Sequence, residues 1–292
     1  MGVPTVAVVG GGAIGGFLAG AVHDAGHPVT LCLRTPIDAL TVRTGARVAT
    51  VPARLVTDPA GETPVEWLLV ATKAQDTPAA AGWLSALAGA STTVVVLQNG
   101  VDHADRVGSL IGKATLLPAL VYVAAERPEP GLVVHRGGNR LVVPAGAAGR
   151  AFGELLAGSG LRVEPVADFR TEAWRKLLTN VAANPITALT LRRLGVLAEP
   201  DVAELARAVL AEGVAAAAAD GAALGPDEIA RTVRFYRRFG ADDGTSMLYD
   251  RLAGRPLEAD LITGAVVAAA DRHHVPVPLN RALLALLRAV NR

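Results

Sequence analysis

The chain of 292 residues has one cysteine, three lysines and eleven aromatic residues. A single thiol, Cys32, excludes an internal disulfide and a multi-cysteine metal site. Basic and acidic residues nearly cancel to a net charge of +1. With so few aromatics, no basic, aromatic-rich face for nucleic acid is expected. No apolar run reaches the ~18 residues of a membrane span. The run from Val3 to Val9 has no charged segment and no cleavage pattern around it, so no secretory signal is expected. The expectation is a soluble, cytoplasmic protein. Half the residues are apolar, which argues against disorder. The scarcity of lysine is the most useful absence. Arginine outnumbers lysine 25 to 3, and the three are Lys73, Lys113 and Lys176. A codon bias toward G and C accounts for the ratio. Where lysine is rare, a retained lysine needs a chemical reason.

What is present divides the chain in two. The first part alternates short apolar runs with helical spacing: a strand over Thr5–Val9, a helix over Ala13–Ala25, then strands over Val29–Leu33, Trp67–Ala71 and Thr92–Leu97. Val48–Val51 and Ala53–Val56 suggest a hairpin. Further strands are read over Thr115–Val123, Leu132–His135 and Arg140–Val143. Strands alternating with helices predict a doubly wound parallel sheet, an α/β fold of Rossmann type. Beyond Asp168 every segment is helix-like, with Pro200, Pro226 and Pro256 at candidate first helical positions. The predicted domains are 1–168, binding the dinucleotide, and 169–292, all helical and carrying substrate and catalysis.

Gly10, Gly11, Gly12, Ala13, Ile14 and Gly15 match G-x-G-x-x-G, after a buried strand and at the opening of a helix. Gly10 suits a tight turn, Gly12 a close approach of pyrophosphate, and Gly15 close packing; the helix N-terminus favours phosphate. The second strand ends Cys32-Leu33-Arg34, with arginine where an NAD site usually has Asp or Glu, so NADP(H) is favoured. Lys73 and Asn99 follow the third and fourth strands of this series, at the carboxyl ends where open α/β sheets bind ligands.

Lys176, Asn180 and Asn184 lie four residues apart, on one ~80° face of a helix. Pro185 predicts that this helix kinks or ends near Asn184. An ammonium beside two carboxamides suits reduction of a ketone, whose oxygen gains negative charge and needs a proton. Ser246 and Glu258 stand at the starts of later helical runs, where taken alone they are better read as an N-cap and a helix-dipole partner. His273 and His274 carry no metal-ligand spacing, and no metal is expected.

Taken in order, these motifs resemble those of the ketopantoate reductase (2-dehydropantoate 2-reductase) family. They are the glycine loop, Lys73, Gln98-Asn99-Gly100, Trp174-Arg175-Lys176 with Asn180 and Asn184, Ser246-Met247, and Glu258-Ala259-Asp260. The resemblance implies a Rossmann domain followed by a helical domain like that of 6-phosphogluconate dehydrogenase. It implies NADPH-dependent reduction of ketopantoate to D-pantoate in pantothenate biosynthesis, with Lys176 as the catalytic lysine and Glu258 near it and the cofactor. It places Asn99 near the nicotinamide, Ala125 at the nicotinamide end, Lys73 on the cofactor side, and Asn180, Asn184 and Ser246 on the substrate. The sequence departs from the family pattern at Leu194, Asp243 and Thr263, where asparagine is usual, and in Lys73-Ala74-Gln75, where glutamine is displaced. These departures leave open another 2-oxo acid, or a specialised-metabolite ketone, as substrate. A reading from another class, a non-catalytic NADP(H)-binding redox sensor, would be marked by loss of the lysine or glutamate, and both are present. A homodimer is left open.

Overall fold

The computed structural model describes residues 2–291, which form two compact units. One comprises the chain up to Gln98 together with Asp102–Phe169; the other comprises Asn99–Val101 and the chain from Arg170 onward.

The first unit is built on six parallel strands: β1 (Val6–Val9), β2 (Val29–Cys32), β5 (Arg54–Val56), β6 (Trp67–Val70), β7 (Thr93–Val96) and β8 (Thr115–Pro118), in the order β5-β2-β1-β6-β7-β8. Both faces are buried, as a parallel sheet requires. Val6 and Val8 join a core with Leu18 and Val22 of helix α1 (Ala13–Asp24). Ala7 and Val9 pack on the other side with Trp83 and Leu84 of α2 (Ala81–Leu87). The expected doubly wound sheet is therefore present.

A second sheet was not foreseen. It contains β3 (Leu40–Thr44), β4 (Arg47–Val51), β9 (Leu120–Glu129), β10 (Leu132–Pro144) and β11 (Arg162–Val166). Helix α3 (His103–Val107) and helix α4 (Ala147–Leu155) complete the unit. Leu141 and Val143 of β10 share the core that contains α1. The expected hairpin between 48–51 and 53–56 does not form. The pairing of β4 is with β3, through a turn at Gly45, while β5 leaves to pair in parallel with β2. Pro52 lies between β4 and β5, without the two φ > 0 residues of a tight hairpin turn. The two strands read over 132–135 and 140–143 are one, β10, irregularly paired to β9.

The second unit is helical: α5 (Phe169–Val181), α6 (Ala183–Thr190), α7 (Pro200–Ala219), α8 (Asp227–Tyr236), α9 (Ser246–Leu252), α10 (Ala259–Arg272) and α11 (Pro278–Val290). Trp174, Leu177, Leu178 and Val181 recur at helical spacing on α5, and all are buried with residues of α7, α10 and α11. Close approach of α7 to α5 depends on Gly213, where a Cβ would come within 2.8 Å of Leu178. Pro200 opens α7 as expected, but Pro226 precedes α8 as its cap and Pro256 lies outside α10. Among the described residues no helix is long and apolar enough to cross a membrane, and no group of side chains could hold a metal ion.

Candidate active site

The glycine loop has the geometry its spacing predicts. Gly10 has φ +110°, which side-chain-bearing residues rarely adopt, and a Cβ there would stand 2.8 Å from the Thr72 amide nitrogen. A Cβ on Gly15 would lie 1.8 Å from the Gly10 carbonyl oxygen. Among the described residues nothing approaches within 4 Å of the Cβ position of Gly12, so the loop is open there and closed on either side. The open side coincides with the N-terminus of α1, where orphan N–H groups attract phosphate. The residues thus fit a dinucleotide pyrophosphate. Gly15→Ala should distort the turn at a cost of about 1–3 kcal/mol, read as a lower urea midpoint. An unchanged midpoint would show that the loop tolerates the methyl group.

The glycine loop is tied to the strand that leads to Arg34. Gly10 N donates to Cys32 O at 3.0 Å, and the Leu33 side chain fills the space beside Gly11. Arg34 follows directly and is exposed. Burial pushes the Cys32 thiol up to about 12, so it stays protonated. Lys73 is half-buried just past β6, at the start of a 3₁₀ turn, Ala74–Asp76. Gln98 fastens that region: its side-chain amide donates to Thr72 Oγ1 at 3.0 Å and Thr77 Oγ1 at 2.9 Å. Ala125 is half-buried on β9, opposite His135. Arg127, two residues on, reaches Gly11 O at 3.4 Å; it was not singled out from the sequence.

The second unit gathers the polar residues of the other group. Lys176 and Asn180 are half-buried one turn apart on α5. Desolvation pulls the Lys176 ammonium down to about 8, although the negative charge of Glu258 acts to raise it. Glu258 is itself fastened by Asn99, whose Nδ2 donates to Glu258 Oε2 at 3.1 Å across 159 residues of sequence. Lys176, Glu258 and Asn99 are therefore linked, the first two electrostatically and the last two by a hydrogen bond. Glu258 is the N-cap residue of α10 rather than part of its first turn, and its carboxylate does not cap.

Asn184 does not continue a single stripe. The helix breaks at Ala182, between α5 and α6, because Pro185 lacks the N–H that would bond Val181 O and its ring crowds that carbonyl. Tyr236 of α8 serves the break: its hydroxyl donates to Leu178 O at 3.4 Å. Asn184 is 3% exposed, and its Nδ2 has no hydrogen-bond partner among the described residues. An orphaned buried donor costs about 1–3 kcal/mol, which an acceptor oxygen on a ligand would recover. Ser246 is exposed at the first position of α9. The cap is Thr245, whose Oγ1 accepts from Leu248 N at 3.1 Å.

Neighbours keep α5 in place. Trp174 is fully buried and donates through Nε1 to Asp220 Oδ2 at 2.9 Å. Arg175, on a different face from Lys176, pairs with Glu172 and with buried Glu228 at 3.2 Å. His273 contacts Asp220 at 3.3 Å and ends α10, a helix-end role as expected. Of the positions that depart from the family pattern, Leu194 N donates to Asp243 O at 2.9 Å, while the Asp243 carboxylate accepts from Gly240 N at 2.7 Å. Thr263 is fully buried on α10, its hydroxyl without a partner among the described residues.

Comparison with known proteins shows the family and the fold. Residues 6–148 match the family model "Ketopantoate reductase PanE/ApbA", and residues 168–291 match its C-terminal counterpart. The 2-dehydropantoate 2-reductase of Caulobacter vibrioides is 38% identical over 286 residues, covering 98% of each chain. That of Mycobacterium tuberculosis is 41% identical over 290 residues, covering 98% of this chain and 97% of its own. The solved structure of a PanE/ApbA family ketopantoate reductase from Ralstonia eutropha superposes with a TM-score of 0.90 at 31% identity, covering 98% of each chain. The alternating sheet-and-helix unit, the helical unit and the full-length matches converge: this chain belongs to the ketopantoate reductase family of oxidoreductases.

Proposed function

We propose that the chain reduces a 2-oxo acid with NADPH, first of all 2-dehydropantoate to D-pantoate, as a cytoplasmic step of pantothenate biosynthesis. The observation that carries this reading is Lys176, a half-buried ammonium drawn down to about 8 beside the charge of Glu258. The Gly10–Gly15 loop and the N-terminus of α1 would hold the pyrophosphate, Arg34 the 2′-phosphate and Lys73 a further cofactor oxygen. Asn99 and Ala125 would meet the nicotinamide end. When bound, NADPH supplies the hydride that converts the substrate ketone to an alcohol.

The chain's own residues supply the rest. As the ketone carbon accepts the hydride, its oxygen gains negative charge, and Lys176 donates a proton to that oxygen. Its lowered pKa makes the proton easier to give than that of a solvated lysine. Glu258 keeps enough of the charged form populated near neutral pH and, held by Asn99, fixes where the ammonium rests. Asn184 Nδ2, lacking an acceptor, suits a substrate carboxylate or hydroxyl oxygen. Asn180 and Ser246 add further donors. D-pantoate formed at the rate NADPH disappears, in mixtures of enzyme, NADPH and 2-dehydropantoate, is the expected outcome. NADPH loss without that product would refute the assignment.

The cofactor preference has its own test. Replacing Arg34 by Ala removes a charge-assisted contact worth about 1.5–3 kcal/mol, so the Kd for NADPH should rise about 10- to 100-fold in a fluorescence titration, with the Kd for NADH little changed. Equal losses for both cofactors would show that Arg34 does not read the 2′-phosphate.

A second reading keeps the chemistry and changes the substrate to another 2-oxo acid. It is favoured by Leu194, which brings no polar group, and by Asp243, whose carboxylate closes a local turn with Gly240. A polar substrate group that loses its partner can cost a large factor in kcat/KM.

A further inference from the structure

Thr187 and Thr245 are buried hydroxyls that the mechanism above does not use. Thr187 is fully buried on α6, and Thr245 is 8% exposed at the cap of α9. Their oxygens are 2.7 Å apart. Leu248 N donates to Thr245 Oγ1 at 3.1 Å, and Thr187 Oγ1 donates to Ala183 O at 2.8 Å. The directions then follow. The only arrangement that satisfies both protons has Thr245 donating to Thr187, and Thr187 donating to the α6 backbone. Thr187 Oγ1 is also 3.2 Å from Asn184 O. The chain of bonds runs from the first turn of α9 to the first turn of α6, and each end adjoins one of the proposed substrate donors: Ser246 follows Thr245, and Asn184 follows Ala183.

We infer that Thr187 and Thr245 are positioning residues: a two-hydroxyl clasp that sets the separation of Asn184 and Ser246 and thereby the fit of the 2-oxo acid. The inference rests on the proposed reduction and assigns a specificity role within it. Both hydroxyl protons are committed to the clasp, so neither threonine donates to substrate. The α6 end begins at the helix break, where the chain lacks the continuous ladder of a longer helix, so a side-chain tie is needed to fix it. Misplacing a substrate contact by about 1 Å can cost up to 10²-fold.

The test compares Thr187→Val, which keeps the shape and removes the hydroxyl, with Thr187→Ser, which keeps the hydroxyl and removes the methyl group. Thr187→Val should raise KM for 2-dehydropantoate about 10- to 100-fold, with kcat within about threefold and the NADPH Kd from fluorescence unchanged. Thr187→Ser should restore the wild-type KM. Should Thr187→Val fail to fold, Thr245→Val provides the same comparison from the other side, against Thr245→Ser. A valine variant with wild-type KM, or serine and valine variants that shift KM equally, would overturn the clasp. A wild-type enzyme that turns over no 2-oxo acid would overturn the proposed function, and the clasp's role in specificity with it.

Discussion

Lys176→Met should lower kcat by about 10² to 10⁴-fold, the usual range for losing a positioned acid, while leaving the Kd for NADPH within about twofold. Methionine keeps the length and apolar stem, so packing on α5 is preserved and the ammonium alone is removed. Trp174, Leu177 and Leu178, which hold that helix in its core, are untouched. Lys176→Arg is expected to fail as a rescue. Arginine keeps the charge but holds its proton with a pKa above 12, so it is a much weaker acid catalyst than an ammonium that titrates near the operating pH. Steady-state rates of both variants, with NADPH binding followed separately, decide the matter. A methionine variant with near-wild-type kcat would remove Lys176 from the chemistry.

Glu258→Gln should change the pH profile as well as the rate. In the wild type the donor must be protonated, so activity should fall as pH rises through about 8, where the Lys176 ammonium titrates. Two influences set that value in opposite directions: burial lowers it and the Glu258 carboxylate raises it. Removing the carboxylate leaves burial unopposed. The falling limb must therefore move to lower pH, not higher. An opposite charge at close range is worth about one to three pKa units. At pH 8 the protonated fraction should drop from about half to about a tenth or less. Asn99 loses its charged acceptor at the same time, so kcat should fall below the pH effect alone. A limb that stays in place, or moves to higher pH, would show that Glu258 does not tune Lys176.

The parts that local sequence determines were legible. Gly10 and Gly15 each meet a need that only a missing side chain satisfies, a positive φ and a close backbone approach, so their spacing foretells the loop. The apolar runs of β1, β6 and β7, buried on both faces, announce a parallel sheet. Scarcity alone singles out Lys73, Lys113 and Lys176 alike; position separates them, because Lys73 follows a strand end and Lys176 shares a helix with two asparagines. What was not legible depends on pairing at a distance. The second sheet escaped because β3 and β4 are mixed in composition and β10 runs through Gly137 and Gly138, which read as a turn. Strand register is set by partners that sequence order does not reveal, which is why 48–51 and 53–56 suggested a hairpin they do not form. Pro185 announced a break, but not that Tyr236 would occupy it. Nothing local links Asn99 to Glu258, or Thr187 to Thr245. A threonine inside a helix is an unremarkable choice until the hydroxyl facing it is seen.

NADPH supplies the hydride and Lys176 the proton when the chain reduces its preferred 2-oxo acid, proposed to be 2-dehydropantoate. The most direct test is kcat/KM for NADPH oxidation by the wild-type enzyme, measured side by side with 2-dehydropantoate and a panel of other 2-oxo acids. The highest value is expected for 2-dehydropantoate. An equal or higher value for another 2-oxo acid would contradict that preference, and no NADPH oxidation with any of them would contradict the claim as a whole.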